Sequence, residues 1–105
     1  MRYIRTKDKI IEVNNWYKKG YAYCEEDGVW KTPNQQADTI EELCDEFVVY
    51  DIHKNKYLNF IHLKSLIGYC EENGLDKTAI KGAIWTDKGL IYVAKMNEKG
   101  ELELL

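Results

Sequence analysis

The last 27 residues, "AIKGAIWTDKGLIYVAKMNEKGELELL", constrain the fold most. Three apolar-rich segments are separated by "DKG" and "NEKG", and each turn holds a glycine where the backbone wants positive φ. Leu102 and Leu104 alternate with Glu101 and Glu103, so one side of the last segment is dry and the other wet. The spacing predicts a three-stranded antiparallel meander. Ile84, Ile91, Val93, Leu102 and Leu104 are expected among its packed residues, and Trp85 on the opposite face.

The rest of the chain reads in the same way. "RYIRT" and "KIIEV" form two short strands around Lys7-Asp8. "GYAYC", "EEDG" and "VWKT" form a hairpin that Pro33 ends. Val13 to Tyr17 fits no single element. "FVVYDI" and "YLNF" are strands joined by a turn at "HKNK", and "IHLKSLIGYCEEN" is a helix stopped by Asn73-Gly74. A second helix is expected in "DTIEELCDEF", residues 38–47. Thr39 and Glu42 are spaced as a capping box, and Asp38 suits the positive end of the helix dipole. Ile40, Leu43, Cys44 and Phe47 fall at i, i+3, i+4 and i+7, which would bury them and leave Glu41, Glu42, Asp45 and Glu46 in solvent. The fold class is therefore α+β. Residues 1–105 form a single domain: a mostly antiparallel sheet with the C-terminal meander and two helices on one face. The other face of such a sheet can stay open to solvent, which makes exposed aromatics there candidate contacts.

Composition limits the function classes. One proline and a 45% hydrophobic content argue against disorder. No window approaches a membrane span and the N-terminus has no apolar core of a secretion signal, so the expected location is the cytoplasm. Three widely spaced cysteines fit reduced thiols better than disulfides. The net charge of −3 argues against direct nucleic-acid binding. Its distribution is uneven: residues 21–51 hold nine carboxylates and only Lys31 as a cation.

No pattern in the chain specifies catalysis. Cys24, Cys44, Cys70, His53 and His62 show no paired metal-ligand spacing, and whether folding joins them is open. Cys44 lies among carboxylates, which disfavours the thiolate a nucleophile needs. Adjacent pairs such as Glu41/Glu42 and Glu71/Glu72 diverge around a helix and share no site. No phosphate loop is present, and no catalytic residue, metal or cofactor is assigned. What remains is the acidic third. Glu41, Glu42, Asp45 and Glu46, with Glu25, Glu26 and Asp27 nearby, are candidate partner-binding residues: a row of carboxylates can imitate phosphates and occupy a basic groove on another protein. The alternative is that they keep a small domain soluble.

"IRTKDKI", "QQADTIEELCDEFVVYD" and "IKGAIWTDKGLIYVAKMNEKGELELL" resemble a group of small proteins from phages and mobile elements of Gram-positive bacteria. Such proteins begin with an "IRTKDG"-like turn and end with a "GAIWTDKGLIYVAKM" hairpin. Lys9 stands where they usually have glycine, and the segments 14–34 and 52–75 carry no resemblance. The resemblance implies a phage or prophage accessory protein acting in a bacterial cytoplasm, and implies no activity. Small proteins of that origin often bind and block one host protein, including CRISPR nucleases. The expectation is thus a non-enzymatic inhibitor of a host protein, of the anti-CRISPR or another anti-defence type, whose partner is a nucleic-acid-binding defence nuclease. The alternatives are a small ligand- or metal-binding protein, an enzyme assembled from groups distant in sequence, or a structural or regulatory phage protein. Oligomeric state is left open.

Overall fold

A computed structural model describes residues 2–13 and 20–105 of the chain, so most of the ambiguous stretch from Val13 to Tyr17 lies outside the described residues. The strands, in chain order, are β1 (Arg2–Arg5), β2 (Ile10–Val13), β3 (Ala22–Cys24), β4 (Val29–Lys31), β5 (Gln36–Ala37), β6 (Glu46–Asp51) and β7 (Lys56–Phe60). After the helix α1 (Leu63–Asn73) come β8 (Lys81–Thr86), β9 (Gly89–Met96) and β10 (Leu102–Leu104). They form a five-stranded sheet of order β10-β9-β8-β6-β7, a small sheet of order β2-β1-β5, and the two-stranded β3-β4 ribbon. The pairs within them run antiparallel.

One face of the large sheet carries the core, in two halves. Over β6 and β7, Phe47 and Val49 pack with Leu63, Leu66 and Cys70 of α1 and with Leu75, Ile80 and Met96. Over β8 and β9, Ile84, Val93 and Ala94 pack with Ile10 of the small sheet and with Ala37, Ile40 and Leu43. The β3-β4 ribbon closes the far side of the small sheet, where Cys24 packs against Ile4. The helix α1 stops at Gly74, whose φ of 64° is the left-handed conformation that glycine adopts without cost.

The expected helix at residues 38–47 does not form. Glu41–Leu43 make a single 3-10 turn and Cys44 is already extended, so the described residues contain one α-helix rather than two. The capping signal survives only as a 3.4 Å bond from the Glu42 amide to the Thr39 hydroxyl. The sheet claims everything beyond. The Asp45 amide donates to the Ala83 carbonyl at 2.8 Å, and Phe47 and Val49 enter the core with the period of a strand. The apolar residues at 40, 43 and 47 suit a helix, but only the first two sit on the turn; Phe47 is buried from β6. Long-range pairing of a β-branched segment overrides a local cap.

Candidate functional site

The carboxylates of the acidic third separate into two groups according to whether the fold supplies a partner. Asp45 belongs to the first. Arg5 reaches it bidentately from β1, at 2.8 and 2.7 Å, and the Trp85 amide donates to it at 2.7 Å. Burial pushes the Asp45 carboxyl up, but the guanidinium and the amide outweigh it and hold the group below the usual carboxylate range. Glu46 lies on β6 and accepts from Trp85 Nε1 at 2.5 Å and from Asn59 at 3.0 Å. Asp27 meets Lys31, a lysine only 4% exposed, at 2.5 Å, and that bond lowers the Asp27 pKa. Glu26 pairs with Lys9 at 2.8 Å. Asp51, 1% exposed, accepts from the Tyr69 hydroxyl at 2.6 Å and from the amides of His53 and Lys54, which lowers its pKa. Four of the seven expected contact residues are therefore engaged within the fold: Asp45, Glu46, Glu26 and Asp27.

Glu41 and Glu42 differ. Both are exposed on the 3-10 turn, and neither side chain has an ion pair or hydrogen bond among the described residues. With Cys44, Phe47 and residues 61–65 they line a cleft of ≈ 470 Å³. A neighbouring cleft of ≈ 370 Å³ shares Glu41 and Leu63 and adds Asp38, Ile40, Glu101 and Leu102. Sharing Glu41 and Leu63, the two adjoin as one furrow lined by both apolar and polar side chains, among them four carboxylates (Asp38, Glu41, Glu42 and Glu101) and one lysine, Lys64. Glu101, absent from the sequence-based candidates, joins from the turn before β10. Glu25 is exposed on the distant β3-β4 turn and takes no part in the furrow.

Cys44 lines the furrow as a thiol rather than a thiolate. Burial and the neighbouring Asp45 carboxylate push the Cys44 thiol up to about 12, so it stays protonated at neutral pH. Cys24 and Cys70 are buried in separate parts of the core. Among the described residues, no group of three or more His, Cys, Asp or Glu side chains is placed to hold a metal ion. No helix among them is long and apolar enough to cross a membrane.

A second surface lies on the uncovered face of the large sheet. Tyr57, Trp85 and Tyr92 are exposed there, on β7, β8 and β9. Tyr50 and Tyr57 stack edge to face at 4.9 Å between centroids. Lys95 pairs with Glu103 across β9 and β10 at 3.8 Å, so these two charges balance on that face.

No protein-family model, curated protein or solved structure matches the chain.

Proposed function

We propose that this protein is a non-enzymatic inhibitor that binds a host protein by receiving a basic segment of it in the furrow around Glu41 and Glu42. The observation that carries the reading is the division of the carboxylates. The fold commits Asp27, Asp45 and Asp51 to internal bonds. It leaves Glu41, Glu42 and Glu101 without side-chain partners among the described residues, along a groove lined by both apolar and polar side chains. A lysine or arginine with an aliphatic stem fits both features: the stem lies on the apolar side chains and the charge meets the carboxylates. The resemblance to phage and mobile-element proteins supports a bacterial cytoplasmic setting. A defence nuclease, whose nucleic-acid groove is basic, is the partner class this chemistry suits.

The test is charge reversal, Glu41→Lys with Glu42→Lys and Glu101→Lys. Exposed charges contribute little to folding, so stability should move by less than about 1 kcal/mol. Each lost pair should weaken a complementary interface several-fold, and the triple change should abolish retention of a host protein captured by the wild-type chain. Capture of the same host protein by the folded triple variant would overturn the proposal.

A further inference from the structure

The furrow adjoins one edge of the large sheet, where Ile61 follows the edge strand. The strand β7 is the outermost of the five-stranded sheet, and among the described residues no strand pairs with its outer side. Natural edges are often guarded by short length, proline, a bulge or charged side chains, lysine above all. β7, "KYLNF", is five residues long and has no proline; its one charge, Lys56, guards only the first position, and the register shift in this sheet is at Gly82/Ala83. The opposite edge, β10, is only three residues long. Exposed apolar side chains gather at the same edge. Ile52, Tyr57 and Ile61 are 68%, 64% and 72% exposed, which only Leu105 rivals among the described residues. Ile61 immediately follows β7 and also lines the cleft with Glu41 and Glu42. Edge strand and acidic cleft are thus consecutive along one path.

We infer that the partner segment is an extended strand that adds to β7 and carries its basic residue into the cleft. This rests on the proposed function and specifies the ligand for the same groove. The main-chain groups of β7 supply bonds that do not depend on sequence, and alternate apolar side chains of the segment meet Tyr57 and Ile61. The strand pairs of this sheet are antiparallel, so the added strand runs opposite to β7. It therefore enters at the Phe60 end and leaves at the Lys56 end. The basic residue then stands at the N-terminal side of the segment: lysine or arginine first, followed by about five extended residues alternating apolar and polar, which suits the length of β7.

The experiment is selection of a random dodecapeptide phage-display library on the immobilised full chain, followed by amide chemical-shift mapping with the enriched peptides. The expected peptides carry lysine or arginine ahead of an alternating β-branched stretch, and they shift the amides of Lys56–Phe60 together with those of Glu41–Cys44. Proline in the strand portion should weaken binding about tenfold, by removing a main-chain bond. Glu41→Lys with Glu42→Lys should weaken it to a similar degree. Tyr57→Ala with Ile61→Ala, both on exposed side chains, should also weaken it without loss of folding. Basic peptides that shift only the cleft amides would overturn the strand inference while leaving the acidic furrow standing. Peptides that pair with β7 but need no basic residue, or that bind elsewhere, would overturn the combined ligand, as would a selection that enriches nothing.

Discussion

Replacing Gly82 by alanine tests the packing that seats Cys44 against the sheet. A Cβ at Gly82 would lie 2.8 Å from Cys44 Sγ and 3.3 Å from Ala94 Cβ. Ordinary contact begins at about 3.5 Å, so something has to give. The strand cannot move freely, because Gly82 pairs with Phe47 on one side and Ala94 on the other. Cys44 is held by the bond from its own amide to the Glu41 carbonyl at 3.3 Å and by the next amide's bond to Ala83 at 2.8 Å. Overpacking of this kind costs about 1–3 kcal/mol. Gly82 does not have positive φ, so alanine also gains about 0.4–1 kcal/mol by restricting the unfolded chain. The expected net loss is about 1–2 kcal/mol, read from urea denaturation with an unchanged slope. In a Cys44→Ala background the nearest obstacle is gone and only the Ala94 contact remains tight. There the same substitution should cost close to nothing or stabilise. A double-mutant cycle isolates the difference as a coupling of about 1–2 kcal/mol. Equal costs in the two backgrounds would refute the reasoning and place the strain elsewhere.

The fold should weaken in acid. Asp27, Asp45, Asp51 and Asp76 are all held below their ordinary value, so the unfolded chain binds more protons as pH falls. Their contribution is present in full above the unfolded carboxylate value of about 4, and is lost as pH drops through the lower folded values. Urea midpoints measured from neutral pH into strong acid should show this, and Asp45→Asn should flatten the slope. Cys44 should resist iodoacetamide in the native chain near neutral pH, since a pKa of about 12 leaves almost no thiolate. Mass spectrometry after unfolding should show all three cysteines labelled; Cys44 is half-buried rather than buried as its apolar spacing suggested, so native labelling at a free-thiol rate would contradict the raised pKa of its thiol. Arg5→Lys keeps the charge but cannot reproduce the two-pronged bond to Asp45, so it should cost about 1 kcal/mol in thermal or urea unfolding.

The elements that can be read locally are those with local causes. The pairs β1-β2, β3-β4 and β6-β7 each join apolar alternation across a short turn, and α1 combines a 3.6-residue apolar period with a glycine stop. The 3-10 turn at Glu41–Leu43 is different, because a capping signal and a helical spacing over residues 39–47 describe a helix that would exist in isolation. What overrides them is the demand of β8 for a neighbour: Glu46, Phe47 and Val48 pair with Ala83, Gly82 and Lys81, far along the chain. The short strand β5 has no local signal at all, since two residues acquire strand geometry only by lying beside Tyr3 and Ile4. Nor does any local pattern say that the small sheet packs over β8 and β9 while α1 covers β6 and β7.

The same distinction governs the furrow. That Glu41 and Glu42 stand in solvent follows from their neighbours Ile40 and Leu43, which turn inward. That Asp45 does not stand free depends on Arg5, 40 residues earlier, and that Asp27 does not depends on the burial of Lys31. Glu101 reaches the furrow only through the placing of β10 at the edge of the sheet. A carboxylate with a cation in the fold contributes to stability. Glu41 and Glu42, which share the furrow lining with Asp38, Glu101 and Lys64, gain no comparable internal bond among the described residues. Glu41, Glu42 and Glu101 are thus the furrow carboxylates that folding leaves without a side-chain partner among the described residues, which is the reason the proposed partner segment is basic.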